Sequence, residues 1–229
     1  YLFRIIIVVK NIRRMFMFYC PYARRINNYY RANQMNSSIR VFHAAPNAPA
    51  VDVYANGKLI VKNLSYKELS QYISVAPGSY NIMVYPSGQM TNPVVNTNLN
   101  IPANTVFNAA VVGTLPDVSL YPIQEPTTAE NFGRPCVRFV HLSPNAPAVD
   151  IKLSDGTKVF ADVGYKGITD YACVPTGTYT FTVSFAGRDN VVLTVPNVKL
   201  DPNNYYTLYA VGLVGKSPTL EVMLVPEPR

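Results

Sequence analysis

The chain repeats itself, and the repeat restricts its fold more than any other feature does. Residues 39–54 read IRVFHAAPNAPAVDVY and residues 137–152 read VRFVHLSPNAPAVDIK. The shared H-x-x-P-N-A-P-A-V-D pairs His43 with His141, Pro46 with Pro144, Asn47 with Asn145, Pro49 with Pro147 and Asp52 with Asp150. With one residue inserted, the match continues downstream. Asn56-Gly57 answers Asp155-Gly156, Tyr66-Lys67 answers Tyr165-Lys166, and the A-V-V-G ending at Gly113 answers the Y-A-V-G ending at Gly212. The copies close alike, in Gln124-Glu125-Pro126 and Pro226-Glu227-Pro228. A motif recurring in register marks two copies of one folding unit. The chain divides into an arm at 1–38, a first repeat at 39–126, a linker at 127–136 and a second repeat at 137–229.

Inside each copy the period is two. In Thr178–Phe185, TYTFTVSF, the residues Tyr179, Phe181, Val183 and Phe185 share one face and the hydroxyl side chains the other, the pattern of a half-buried strand. Val51, Val53 and Ala55 alternate in the same way, as do Val149, Ile151 and Leu153. Each of these runs stops at Asn-Gly or Asp-Gly, dipeptides suited to a type I′ hairpin with φ > 0 at both central positions. Composition agrees: 17 Tyr, 19 Pro, no Trp and only 14% charged residues favour strands and turns. The count is about seven short strands per copy, at the spacing of a sandwich. Only Tyr66–Tyr72 reads as a helical turn. Pro46, Pro49, Pro144 and Pro147 cannot donate to a central ladder, so the two PNAP segments read as loops or edges. The expected fold is all-β: two tandem immunoglobulin-like β-sandwich domains behind an extended N-terminal arm.

The H-x-x-P-N-A-P-A-V-D-V-Y-x-N-G-K opening, the Tyr-Lys pair, the P-G-S-Y hairpin at Pro77–Tyr80 and the closing A-V-V-G together resemble a bacterial family described as domain of unknown function 4397. The resemblance covers residues 39–229 in two copies. It implies an immunoglobulin-like sandwich in envelope, secreted or spore-associated proteins of clostridia and bacilli, and it brings no catalytic residues. Cys20-Pro21-Tyr22 is similar to a short leader that precedes such repeats in spore-forming bacteria.

His43 and His141 are the only histidines, and both sit in the repeated motif with Asp52 and Asp150. One reading pairs them as metal ligands or as an acid–base couple. A metal needs three or four convergent ligands, and each motif supplies two. The favoured reading is structural: His43, Pro46, Asn47 and Asp52, with His141, Pro144, Asn145 and Asp150, satisfy backbone groups of the proline-rich loops. The chain has no G-x-S-x-G elbow, no P-loop, no dinucleotide fingerprint and no C-x-x-C pair. No enzyme activity and no cofactor are expected.

The net charge of +7 belongs to the arm. Residues 1–38 hold Arg4, Lys10, Arg13, Arg14, Arg24, Arg25 and Arg31 and no acid, which leaves the repeats neutral. Nucleic acid is disfavoured, because the neutral repeats offer no supporting groove; an anionic envelope polymer suits the arm at least as well. Leu2–Val9 is too short to span a bilayer, and no small-residue cleavage site follows it. Met15 offers an alternative start, so the native status of residues 1–14 is open. YLFRIIIVV at 1–9 is strongly strand-prone and uninterrupted by proline. Added as a strand to a neighbour's sheet edge, it would present Phe3, Ile5, Ile7 and Val9 to an acceptor groove, and contacts of this kind that do not close form filaments. Pairing with the chain's own first sandwich is the alternative. Cys20 lies in the arm, Cys136 and Cys173 in the second repeat. Either Cys136 and Cys173 form an intradomain disulfide while Cys20 cross-links chains, or all three thiols are unpaired.

The expectation is a non-catalytic surface protein, on a cell or spore, that forms a homo-oligomer or filament. The alternative is an adhesin or binding module that recognises a glycan or protein through its PNAP loops.

Overall fold

A computed structural model describes residues 36–127 and 133–227, and Met35–Arg229 form one compact unit. Among the described residues every element is a strand. The first repeat holds β1 (Ser37–His43), β2 (Val51–Ala55), β3 (Lys58–Leu64), β4 (Ile73–Val75), β5 (Gly78–Pro86), β6 (Val95–Ile101), β7 (Val106–Thr114) and β8 (Asp117–Glu125). The second holds β9 (Cys136–His141), β10 (Val149–Leu153), β11 (Lys158–Val163), β12 (Ala172–Cys173), β13 (Gly177–Phe185), β14 (Val191–Leu200), β15 (Tyr205–Val211) and β16 (Glu221–Glu227). The repeat therefore has eight strands rather than seven. The extra pair is β4 and β12, too short to announce itself by alternation. Ser37 and Ser38, assigned to the arm from sequence, begin β1, and Cys136, assigned to the linker, begins β9. Tyr66–Tyr72 forms a turn and an isolated bridge at Leu69, not a helical segment.

Each repeat is a sandwich of two four-stranded sheets, ordered β4-β1-β7-β8 and β3-β2-β5-β6 in the first, β12-β9-β15-β16 and β11-β10-β13-β14 in the second. The first strand of each repeat runs parallel to the seventh, with Ser38 opposite Val106 and Cys136 opposite Tyr205. The PNAP segment is the crossover that carries the chain from inner to outer sheet, which suits residues unable to donate to a ladder.

The two sandwiches are stacked rather than strung out. Val41, Val51, Val53, Ile82, Val84 and Val111 fill the first core, and Val137, Phe139, Ile151, Phe181, Val183 and Leu208 fill the second. A third apolar layer lies between the inner sheets. Phe42, Ala110, Val112 and Ile123 of the first repeat meet Val140, Leu142, Tyr209 and Val211 of the second, all completely buried. The result is four sheets in four layers. The inner strands are covered on both faces, so they read as nearly continuous apolar runs such as IRVFH and LYAV.

Turns account for other shared residues. Asn56 and Gly57 take φ 48° and 78°, the type I′ pair expected from Asn-Gly. The inserted residue makes the second copy different. Gly156 alone is left-handed, at φ 86°, and its amide donates to the Leu153 carbonyl, a type I turn followed by a glycine bulge. Gly113 and Gly212, which close the A-V-V-G and Y-A-V-G motifs, have φ 102° and 85°. A Cβ there would lie 2.2 Å from the Asp117 oxygen or 2.1 Å from the Thr219 oxygen, so only glycine fits. Cys136 and Cys173 join β9 to β12 in a disulfide within the second repeat.

Candidate functional site

His43 closes β1 fully buried, and its Nε2 donates to the Pro49 carbonyl at 2.9 Å. His141 makes the same contact with Pro147 at 3.2 Å. Burial lowers both imidazole pKa values, against the opposing effect of these carbonyls, so both rings are neutral. The backbone of each histidine is clamped by the Tyr-Lys turn. Lys67 and Lys166 adopt φ 70° and 64°, and their amides donate to the His43 and His141 carbonyls.

Asp52 points elsewhere. It accepts from the Asn63 amide, the Gly88 amide and the Ser87 hydroxyl, fastening β2 to β3 and to the turn after β5. Burial raises its pKa, but these donors outweigh it and hold the carboxyl below its ordinary value. Asp150 is held low first by the Lys158 ammonium, 2.7 Å away, and then by the Asp162 amide. The His and Asp of each motif thus serve different backbone segments and do not bond to one another. Among the described residues, no three His, Cys, Asp or Glu side chains gather as a metal set would.

The motif's loops converge. Pro46 and Asn47 of the first repeat and Pro144 and Asn145 of the second line one cleft of about 310 Å³, with Thr114, Leu115, Leu213 and Lys216 completing its walls. Asn145 grips the β15–β16 loop, donating to the Val214 carbonyl and accepting from the Val214 amide. Asn47, left-handed at φ 63°, reaches across to the Ser217 carbonyl of the other repeat. The same end is tied by an ion pair between Lys67 and Glu221 and by the Tyr121 hydroxyl donating to the Lys166 carbonyl. Stacking of the two sandwiches thus merges two copies of the loop into one surface feature. Its uncommitted groups are the Leu115 side chain, 47% exposed, and the Lys216 ammonium.

A second set of polar residues was not singled out from sequence. Arg40 lies over the Tyr72 ring and pairs with Glu125 at 2.8 Å, and Tyr72 donates its hydroxyl to the same carboxylate. Arg138 lies over Tyr171 and pairs with Glu227 at 2.6 Å, while Tyr171 and Thr207 donate to that carboxylate. Arg138 also donates to the Gln124 carbonyl, and Asn108 to the Tyr209 hydroxyl, so both contacts cross between repeats. Burial pushes the Tyr209 phenol up to about 12 and raises Glu125 against the pull of Arg40. The arginine and carboxylate of each triad are buried and Tyr72 and Tyr171 half-buried, which marks both triads as internal fastenings of the two inner sheets. Their sequence signal was an arginine at the same place in two apolar runs, IRVF and VRFV, together with a glutamate closing each copy.

The arm residues Phe3, Ile5, Ile7 and Val9, and Cys20, lie outside the described residues. No helix among the described residues is long and apolar enough to cross a membrane.

The family described as "Domain of unknown function (DUF4397)" matches residues 37–152 and 153–228, well over half of the chain. No curated protein matches. Among solved structures, the C-terminal domain of AlgF from P. aeruginosa is 23% identical, covering 42% of this chain and 99% of that one, with a TM-score of 0.33. The Bacillus anthracis TIE protein is 15% identical over 82% of this chain and 34% of its own, at 0.25. A family CBM26 module from Eubacterium rectale Amy13K, solved with maltoheptaose, is 11% identical over 85% and 98%, at 0.26.

Proposed function

The chain belongs to the DUF4397 family, and from that premise we propose that it is a non-catalytic binding module on a cell or spore surface, whose two PNAP loops form one recognition cleft for a protein segment. The observation that carries this reading is the convergence of both loops into a single cleft, held by contacts between the repeats. The repeated histidines are consumed in shaping those loops, and the repeated aspartates in fastening the outer strands. The walls are proline rings, leucine side chains, Thr114, one ammonium and two asparagines whose Nδ2 groups are already bonded to backbone carbonyls, so they suit an extended peptide with an acidic group. Labelled full-length protein should bind the outer surface of its source cells or spores, and Leu115→Asp with Lys216→Glu should weaken that binding about tenfold or more. Equal binding by the double variant, or none by the wild type, overturns the reading.

A second reading keeps the arm as an assembly device. Among the described residues β14 pairs on one side only, with β13, and its first residues Val191 and Val192 are 55% and 40% exposed. The uncharged start of this edge, residues 191–195, suits addition of a strand such as residues 1–9 from another copy. Deleting residues 1–35, which leaves β1 whole, should abolish large assemblies in size-exclusion chromatography and in electron micrographs, and Cys20→Ser should remove a reducible dimer band. Unchanged assembly by the truncated chain ends this reading.

A further inference from the structure

The outer sheet of the first repeat carries a surface that the second repeat lacks. Register places Leu59 opposite Tyr54, Tyr54 opposite Met83 and Met83 opposite Asn96, a row crossing β3, β2, β5 and β6. Such a row spans about 14 Å. Tyr85 stands beside it, its ring edge-on to Tyr54 at 5.5 Å and its hydroxyl on the Met83 sulfur. Leu59 is 39% exposed, and both tyrosines are half-buried. Next to the rings runs a comb of amides. Asn81 on β5 donates to Asn96 and Asn98 on β6, at 2.9 and 3.3 Å, and Asn100 follows two residues on. Those bonds occupy the carbonyl oxygens of Asn96 and Asn98 and leave their exposed Nδ2 groups facing solvent.

The corresponding row in the second repeat is Lys152, Thr182 and Thr194, with Ser184 in place of Tyr85. Lys152 is tied to Asp189. The two outer sheets have the same strand order, so the fold itself requires neither the tyrosines nor the asparagine comb.

We propose that this face of the first repeat, Leu59, Tyr54, Tyr85 and Met83 beside Asn96 and Asn98, binds a neutral polysaccharide. Rings and a thioether offer flat apolar contact to the C–H faces of sugars, and amides match hydroxyl groups, which both donate and accept. The charge balance selects the partner. The carboxylate on this face, Asp52, is buried with its oxygens occupied, and Lys62 is the cation beside it. What remains exposed in the row and comb is uncharged, so an anionic polymer or nucleic acid finds no set of cations there. A protein partner is disfavoured because the row presents no largely exposed aromatic or arginine to act as an anchor.

This surface lies apart from the PNAP cleft, and the test separates the two. Full-length protein is run in native gels containing soluble neutral glucans, mannans or galactans, with an anionic polysaccharide at low and high salt for comparison. Retardation by at least one neutral polymer is expected, insensitive to salt. Tyr54→Ala and Asn96→Ala with Asn98→Ala should each weaken it about tenfold, while the cleft variant Leu115→Asp with Lys216→Glu should leave it unchanged. Retardation by none of the neutral polymers, retardation that only the anionic polymer produces and salt abolishes, or wild-type binding by Tyr54→Ala would overturn the proposal. Far-UV circular dichroism of each variant shows whether weakened binding comes with an intact fold; loss of binding only in unfolded variants would also overturn it.

Discussion

Phe42→Ala tests whether the two repeats share a core. The Phe42 ring is completely buried between the inner sheets, with its centroid 5.1 Å from that of Tyr209 in the other repeat. Were the repeats independent, Phe42 would lie on the outer face of a two-layer sandwich, and truncation there would change stability by no more than about 0.5 kcal/mol. Buried as it is, the ring leaves a cavity when removed, at a cost of about 3–5 kcal/mol. At about 2–4 °C per kcal/mol for a unit of this size, Tm should fall by roughly 6–20 °C. The assay is urea unfolding followed by far-UV circular dichroism and by tyrosine fluorescence, the latter undistorted because the chain has no tryptophan. One transition should move to lower urea with an unchanged slope, since both repeats unfold together. Combining Phe42→Ala with Tyr209→Leu should show a coupling of about 0.5–1.5 kcal/mol for the lost ring pair. A loss below about 1 kcal/mol, or a shift in only one of two separate transitions, would refute the shared core.

Three further outcomes follow from the same geometry. Arg138→Leu strands the buried Glu227 carboxylate and should cost about 3–5 kcal/mol in urea melts, whereas Arg138→Leu with Glu227→Leu should recover much of it; a double variant as unstable as the single one contradicts the pairing. His43 and His141 have pKa values lowered from 6.5, so the unfolded chain binds protons first; stability is complete above about 6.5 and is lost as pH falls through that value towards the lower folded ones, and a urea midpoint unchanged between about pH 8 and 5 would rule this out. Reducing Cys136–Cys173, which are 37 residues apart, should cost about 2–4 kcal/mol in calorimetry with and without dithiothreitol, and identical melts would show that the bridge does not stabilise the fold.

The stacking of the repeats ties these predictions to function. Two flexible sandwiches would carry two separate PNAP loops. Stacked sandwiches carry one composite cleft at one end and expose their two outer sheets on opposite sides of the four layers. Of those outer sheets, only the first presents Tyr54 and Tyr85 with an asparagine comb. The outer sheets thus share a strand order but not a surface.

Much of this was legible in the chain itself. The recurrence of H-x-x-P-N-A-P-A-V-D gave two copies of one unit, and alternation in TYTFTVSF gave the strands, because strand side chains repeat every two residues. Proline-rich loops leave amides and carbonyls in need of partners, and His43 meets one of them at Pro49, but Asp52, expected to do the same, serves Asn63, Ser87 and Gly88 outside the loop. Sequence could not pair the sheets. Phe42 and Val41 are both apolar, and nothing local says that one faces its own sandwich and the other a second repeat. Arg40 and Glu125 stand far apart in the chain and meet only when β1 and β8 flank β7 in one sheet. Leu59, Tyr54, Met83 and Asn96 become a row only through the registers of three strand pairs. Periodicity is a property of neighbours along the chain and is written there. Which faces meet is decided by burial between distant segments, so the composite cleft, the buried triads and the tyrosine–asparagine face emerged only with the tertiary structure.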